Sequence, residues 1–298
     1  MQITLALILV LTLVNAACAK PESAAAGRVA QAQTSNAFAS SSEAQKPEEK
    51  TPDLSAHFKR FPGTFVLYDL KNDRYIRHDA ARAAKRFSPY STFKIPNSLV
   101  GLETGVITDA DFRIKWDAKK YPRNRDNVEP FIHWWQDHTL RTAFRRSVLW
   151  YYQELATRVG AERMKAHVEK LNYGNRDTSG TLTRFWLGDG RLRISADEQV
   201  EFLKALYKEE LPVSRRSQRI VKEIMTLEET PEYKLSAKTG GGPLGESKAL
   251  GWFVGYLETK GNVYFFATQI EGPTFLAIRD ERIRLTKEIL KDLGLLPE

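Results

Sequence analysis

The spacing of apolar residues changes twice along this chain. Residues 63–70 and 74–79 are typical of two β-strands joined by a short turn. Apolar residues then recur at helical spacing between about residues 109 and 211, and strand-like segments return near the C-terminus. We therefore predict an α+β fold: an antiparallel sheet completed by both ends of the chain, flanked by helices, plus an all-helical lobe. A ligand site is expected in the cleft between sheet and lobe.

The same patterns predict the individual elements. Expected helices span residues 91–104, 142–159, 161–171, 196–206 and 284–293. The expected C-terminal strands span residues 232–238, 250–258 and 263–270. Pro96 lies inside the first helix, which predicts either an early-turn position or a kink, because proline cannot donate a backbone hydrogen bond.

The N-terminal segment differs from the rest of the chain. Residues 3–14 are almost purely apolar, and this length is typical of a signal peptide but too short to span a bilayer. Ala16, Ala17 and Ala19 then offer small residues for cleavage, although no Lys or Arg precedes the apolar run. We predict that residues 1–19 are a cleaved signal peptide and that the protein is periplasmic.

Cys18 is the only cysteine, so the chain can form no intrachain disulfide. It occupies the position of the acylated residue in a lipoprotein signal, which would make the protein a membrane-anchored lipoprotein. Asn15 is a poor match to the leucine expected in such a signal. Removal of Cys18 with the signal peptide is the alternative, and the sequence leaves both open. No later segment is apolar enough for a transmembrane span.

Residues 20–53 are rich in Ala, Ser, Gln, Glu, Lys and Pro and have no apolar periodicity. Such a segment cannot bury enough surface to offset its ordering entropy, so we predict a disordered linker. The remaining residues, 54–298, are then one domain of ordinary size.

The formal net charge of +8 raises the question of a nucleic-acid partner. The basic residues are scattered among acidic ones, however, and no nucleic-acid-binding motif accompanies them. We expect no nucleic-acid partner, but a surface that attracts anionic small molecules. The five histidines show neither metal-ligand spacing nor a triad pattern, so we expect no metal.

Two short motifs could carry chemistry. Ser91 and Lys94 are three positions apart at a predicted helix start, so both side chains lie on one face. A serine hydroxyl is a weak nucleophile until a base removes its proton, and a lysine whose pKa is lowered by burial can be that base. Lys238 and Thr239 end a predicted strand and precede three glycines, an arrangement suited to a carboxylate. Each motif alone arises often by chance.

Their order is more specific. A Ser-x-x-Lys motif, a serine at position 147 in the helical middle and a late Lys-Thr-Gly motif are typical of penicillin-recognising serine enzymes. The whole stretch 91–107 resembles the nucleophile helix of class D (OXA-type) serine β-lactamases. The tripeptides at 173–175 (Tyr-Gly-Asn) and 185–187 (Phe-Trp-Leu), and the Trp-Phe-Val-Gly run at 252–255, also resemble that family in the same order. The resemblance covers about residues 61–296.

The resemblance implies a role for each matching residue. Ser91 would be the nucleophile that becomes acylated, and Lys94, N6-carboxylated by carbon dioxide, would be the general base. Trp186 would donate its indole N–H to the carbamate; a plain core aromatic is the alternative. The backbone N–H groups of Ser91 and Gly241 would form the oxyanion hole, and Ser147 would relay a proton to the departing nitrogen.

The substrate carboxylate is expected to contact Lys238, Thr239 and an arginine near the C-terminal helix. Arg279, Arg282 and Arg284 are candidates, and aligning the helix with the family pattern selects Arg282.

Leu149 departs from the family. The usual middle motif is Ser-x-Val, and the additional methylene of leucine is expected to lie over Lys94 and to alter deacylation.

The resemblance implies hydrolysis of β-lactam antibiotics, penicillins and oxacillin among them, and thereby resistance. It implies no cofactor other than carbon dioxide or bicarbonate for Lys94. A β-lactam sensor and a penicillin-binding protein, both of which stay acylated, are the alternative functions. The pair Trp134-Trp135 is expected to pack in the helical lobe, and the loops at 123–131 and 241–248 to set the width of the pocket.

Overall fold

The computed structural model of the chain describes residues 52–123 and 131–297. The predicted signal peptide, Cys18 and nearly all of the predicted linker lie outside these residues. Most of the pocket loop expected at 123–131 does so as well.

A six-stranded sheet forms the centre of the fold. Its strands are β1 (Gly63–Asp69), β2 (Arg74–His78), β5 (Thr226–Glu229), β6 (Tyr233–Leu244), β7 (Lys248–Thr259) and β8 (Asn262–Gly272). They lie in the order β2-β1-β8-β7-β6-β5, and every neighbouring pair is antiparallel. A small separate sheet pairs β3 (Arg113–Ile114) with β4 (His138–Thr139). The N-terminal and C-terminal parts of the chain therefore complete one sheet, as predicted.

Helices cover the sheet on both faces. Between β2 and β5 lie α1 (Ala80–Ala83), α2 (Lys94–Glu103), α3 (Leu140–Arg145), α4 (Leu149–Val159), α5 (Ala161–Lys170), α6 (Ala196–Tyr207) and α7 (Arg215–Met225). After β8 come α8 (Phe275–Ile278) and α9 (Glu281–Asp292). Within residues 52–123 and 131–297, none of the helices combines the length and apolar character needed to cross a bilayer.

Alternation along the strands produces two cores. Val66 and Tyr68 of β1 point into the larger core shared with the helical lobe, whereas Phe65 and Leu67 point into a second core shared with α9. Because successive strand side chains point to opposite faces, one strand contributes to both layers. The sheet is therefore buried on both faces, and the α+β prediction is confirmed.

The predicted helix at 142–159 is wrong in one respect. It is interrupted: α3 ends at Arg145, α4 begins at Leu149, and Ser147 between them has a φ of +55°. The helical spacing of apolar residues continues through residues 146–148, so the sequence pattern does not indicate the break. The prediction of a loop at 241–248 is also wrong, because β6 and β7 extend into this segment and form a hairpin with its turn at 245–247. We did not predict α7 and β5.

Candidate active site

A tight turn places Ser91 beside Lys94. Residues Tyr90–Phe93 form a 3-10 turn that leads directly into α2, with Pro96 in the first turn of the helix, where its missing N–H costs nothing. Nζ of Lys94 lies 2.8 Å from Oγ of Ser91, and the Lys94 side chain is buried. The turn is held by Thr92, whose hydroxyl donates to the Pro89 carbonyl oxygen at 2.8 Å. The predicted pairing of nucleophile and amine is therefore present.

Ser147, which lines the same cavity as Ser91, is hydrogen-bonded to Lys238. Nζ of Lys238 donates a hydrogen bond of 3.0 Å to Oγ of Ser147 and one of 2.9 Å to the carbonyl oxygen of Thr239. Lys238 is buried, and burial together with the positive charges of Lys94 and Arg282 lowers its pKa well below the usual value. The lysine is thus poised to give up a proton.

Arg282 provides the second cation that was predicted for the carboxylate. It lies in the first turn of α9, only 5% exposed, and its Nη1 donates to the carbonyl oxygen of Gly240. Burial lowers its pKa to about 9. Its buried Nε has no hydrogen-bond partner within residues 52–123 and 131–297. Arg279 also lines the cavity but pairs with Asp280.

Arg284, the third candidate, pairs instead with Glu281 and Glu288 at the surface. The choice of Arg282 over the other two therefore agrees with the geometry.

Three consecutive glycines let β6 approach the nucleophile turn. β5 pairs with β6 only up to Ser236, so beyond that point this edge of β6 faces the turn instead of a strand. A Cβ atom at Gly240 would lie 2.7 Å from the carbonyl oxygen of Pro89, and one at Gly242 would overlap the ring of Tyr90. Gly241, between them, lines the cavity. Larger residues would push β6 away from Ser91.

Trp186 is fully buried behind the nucleophile turn. Its indole stacks on Phe93 at 5.3 Å between ring centroids and an interplanar angle of 22°. Its Nε1 is a buried donor with no hydrogen-bond partner among the residues that the structure describes. Buried polar groups without partners are rare, so this N–H requires an explanation.

A cavity of about 770 Å³ opens above Ser91. Leu149, at the start of α4, forms part of its wall together with Ser147, Thr239 and Arg282. Trp134 packs in the helical lobe as expected, yet it also lines the cavity, as does Phe131. Six of the predicted site residues line the cavity: Ser91, Ser147, Leu149, Thr239, Gly241 and Arg282. The other three, Lys94, Lys238 and Trp186, are buried and are hydrogen-bonded to the lining residues Ser91, Ser147 and Tyr90, respectively.

Several lining residues were not predicted from the sequence. They are Tyr90, Arg184, Leu187, Gly188, Asp189 and Phe275, whereas Phe131 belongs to the loop that was expected to set the width of the pocket. Tyr90 and Leu187 directly flank Ser91 and Trp186, and this adjacency was a signal that we could have used. Arg184, Gly188 and Asp189 adjoin the same 185–187 motif, whereas Phe275 belongs to a separate segment that only the tertiary structure brings to the cavity.

Comparison with known proteins agrees with this arrangement. Residues 28–294 match the family described as "Penicillin binding protein transpeptidase domain". Beta-lactamase OXA-48 of Klebsiella pneumoniae is 41% identical over 256 residues, which is 85% of this chain and 92% of that protein. Beta-lactamase OXA-10 of Pseudomonas aeruginosa is 42% identical over 211 residues, 70% of this chain and 76% of that protein.

A solved structure and a more distant relative complete the comparison. The class D β-lactamase YbXI from Nostoc superimposes with a TM-score of 0.74 at 42% identity, covering 82% of this chain and 99% of that one. The methicillin resistance protein mecR1 of Staphylococcus aureus is 33% identical over 83% of this chain, but only 40% of that protein is covered. Together with the paired Ser91 and Lys94 and the buried cations beside them, these matches show that the chain belongs to the class D serine β-lactamase family.

Proposed function

We propose that this protein hydrolyses β-lactam antibiotics through an acyl-enzyme on Ser91, and so gives resistance to penicillins and oxacillin-type compounds. The observation that carries this proposal is the 2.8 Å contact between Lys94 and Ser91, at a cavity that Arg282 lines and whose lining residue Ser147 accepts a hydrogen bond from the buried Lys238. A nucleophile with an adjacent base, facing two cations, suits a cyclic amide that bears a carboxylate.

Ser91 attacks the lactam carbonyl carbon, and the C–N bond of the ring breaks. The developing negative charge on the carbonyl oxygen is stabilised by the backbone N–H groups of Ser91 and Gly241. The close approach of β6 to the nucleophile turn supports this assignment, because it places both segments at the same cavity.

Lys94 is the base residue, and we propose that it acts in the N6-carboxylated form. Two features support this: the Lys94 side chain is buried, and Trp186, which stacks on the adjacent Phe93, has an indole N–H with no partner among the described residues. Carbon dioxide adds to the neutral amine with loss of one proton. A carbamate there supplies oxygens that can take the Ser91 proton and accept the Trp186 N–H.

Ser147 passes a proton to the departing nitrogen. Its hydroxyl accepts the Lys238 hydrogen bond, and the lowered pKa of Lys238 eases transfer of a proton through Ser147. Lys238, Thr239 and Arg282 hold the substrate carboxylate, since Arg282 lines the cavity and its guanidinium offers a planar donor set that matches a carboxylate.

Hydrolysis of the chromogenic cephalosporin nitrocefin and of oxacillin by the purified protein tests this function. We expect multiple turnovers that become faster with added bicarbonate, and none from Ser91→Ala. Mass spectrometry after mixing should show a transient adduct on Ser91. A stoichiometric burst followed by a stable adduct would overturn hydrolysis and favour the sensor or penicillin-binding alternative.

We also propose that the protein is exported to the periplasm. The apolar run at 3–14 and the alanines that follow it support this proposal. N-terminal sequencing of protein from a periplasmic extract should begin near residue 20. Incorporation of labelled palmitate that is lost in Cys18→Ala would instead indicate a lipoprotein.

A further inference from the structure

Tyr90 has an unusual backbone conformation for its size. Its φ is +50°, in the left-handed region that bulky side chains rarely adopt. It directly precedes Ser91 and is 5% exposed, and this exposed part faces the substrate cavity. Such a conformation persists only where surrounding contacts enforce it, and it is concentrated at functional sites.

The contacts of Tyr90 join three segments. Its backbone N–H donates to the carbonyl oxygen of Trp186 at 3.0 Å, and its hydroxyl donates to the carbonyl oxygen of Pro243 in β6. Its ring fills the space beside Gly242, and its hydroxyl fills the space beside Gly188, since a Cβ atom at either glycine would overlap it. The side chain therefore spans from the nucleophile turn to β6 and to the loop after Trp186.

The phenol is neutral in the working protein. Burial raises the pKa of Tyr90 to about 12, so its hydroxyl remains a donor at physiological pH. Tyr90 therefore acts through its volume and its hydrogen bond, and not as a base.

We propose that Tyr90 is a specificity-determining residue, whose ring limits the size of the substituent that a β-lactam can carry into the cavity beside Gly188 and Gly242. This inference rests on the proposed β-lactamase function. The ring occupies a wall directly next to the nucleophile, so its removal would open space where the substituent of an acylating substrate can lie. A pocket wall of this kind discriminates by exclusion of volume.

Substrate selectivity tests the proposal. The probes are 6-aminopenicillanic acid, which has only a small amine, and oxacillin, which has a bulky aryl substituent. The quantity measured is the ratio of their kcat/KM values, oxacillin over 6-aminopenicillanic acid. This ratio does not depend on the fraction of protein that is folded, so a merely structural role would leave it unchanged.

We expect Tyr90→Ala to raise this ratio about tenfold or more, and Tyr90→Phe, which retains the ring, to change it by less than about twofold. Tyr68→Ala is the matched control: Tyr68 is also 5% exposed and its hydroxyl is also bonded, to Asp73 at 2.6 Å, but it lies in β1 away from the cavity. It should lower stability and leave the ratio unchanged.

A second measurement needs no activity. Gly242→Ala places a methyl group into the Tyr90 ring and should lower the unfolding temperature. In the Tyr90→Ala background the same methyl group enters space that the ring has left, so the added cost should largely disappear. Equal costs in both backgrounds would show that the ring does not occupy this wall.

The outcomes separate the two proposals. If the unaltered protein neither turns over nor becomes acylated by either probe, the β-lactamase function fails, and the selectivity role fails with it. If it turns over both probes but Tyr90→Ala leaves the ratio unchanged, only the role of Tyr90 is overturned.

Discussion

Nζ of Lys238 lies 3.0 Å from Oγ of Ser147, although 91 positions separate the two residues in the chain. The hydrogen bond joins β6 to the break between α3 and α4, and so connects the sheet to the helical lobe at the active site. Ser147 has a φ of +55° at this break, and it lines the cavity. Two of our predictions follow from this pair of residues.

The Ser147→Gly variant should be more stable than the Ser147→Ala variant. Both substitutions remove the hydroxyl, but only alanine retains the left-handed strain, so Ser147→Gly should exceed Ser147→Ala in unfolding free energy by about 1 kcal/mol. Ser217, inside α7, is the control, where glycine should be the less stable of the two. Urea denaturation measures the unfolding free energy of both pairs of variants.

Both variants at position 147 should also lose about 10²-fold to 10⁴-fold in acylation rate. Retention of this rate would contradict the proton relay through Ser147.

Lys238 should make stability depend on pH. Its folded-state pKa is lowered, so between that pKa and its unfolded value of about 10.4 the unfolded chain binds more protons. Stability relative to Lys238→Met should therefore rise with pH, by at most about 1.4 kcal/mol per pH unit. Urea denaturation from pH 7 to 10 without bicarbonate measures this slope. A difference in unfolding free energy between the two proteins that does not change with pH would contradict this prediction. Added bicarbonate should reduce the slope if Lys94 becomes a carbamate, because a negative charge near Lys238 raises its pKa.

Trp186→Phe should weaken carboxylation of Lys94, because the carbamate loses the indole N–H as a hydrogen-bond donor. The variant should not lose much stability. The substitution removes a donor that lacks a partner among the described residues and retains an aromatic ring against Phe93. We expect half-maximal activation to need several-fold more bicarbonate. Trp252→Phe is the control, because its Nε1 already donates to the carbonyl oxygen of Ser88 at 3.0 Å. That variant should lose about 1 kcal/mol of stability, with unchanged bicarbonate dependence.

Arg282→Ala should lower kcat/KM for penicillins roughly tenfold to a hundredfold, because a buried, charge-assisted contact with the carboxylate is lost. Arg282→Lys should restore only part of the loss, since one ammonium group cannot replace the planar fork. Arg284→Ala, which removes a surface ion-pair partner, should have no effect on kinetics. Equal losses in the Ala variants at 282 and 284 would overturn the assignment.

Leu149→Val should change deacylation more than acylation. Leu149 lines the cavity beside Ser147, and loss of one methylene widens the space available to the attacking water. We expect a several-fold faster deacylation rate in single-turnover experiments, with an acylation rate within about twofold. Leu182→Val, outside this cavity, is the matched control. Identical deacylation rates for Leu149→Val and the unaltered protein would show that Leu149 does not limit deacylation.

Local sequence patterns predicted much of the fold, because many of its elements form through interactions between residues close in the chain. The hairpin of β1 and β2, the helix that carries Lys94, and the hairpin of β7 and β8 are all formed by residues close in sequence, although the 3-10 turn at Tyr90–Phe93 was not predicted. Their periodicity and turn residues are therefore sufficient. The family resemblance added the roles of distant residues, such as Trp186 and Arg282.

Local patterns failed where a distant contact overrides them. The apolar spacing of residues 142–159 predicts one helix, yet the chain breaks at Ser147, and at that break its side chain meets Lys238. Likewise, residues 241–248 contain glycines and a proline that favour a loop, but pairing with β7 extends β6 as far as Leu244 and leaves only residues 245–247 as a turn. Strand pairing and burial supply free energy that short-range propensity does not include.

The sequence by itself determined the α+β class, the pairing of Ser91 with Lys94 and the identity of the charged residues at the site. Only the tertiary structure decided that Ser147 interrupts the predicted helix at 142–159, that Tyr90 lies between β6 and the loop after Trp186, and that Trp134 borders the cavity. The reason is that each of these depends on packing between segments far apart in the chain, and such packing is set by the shape of the whole core.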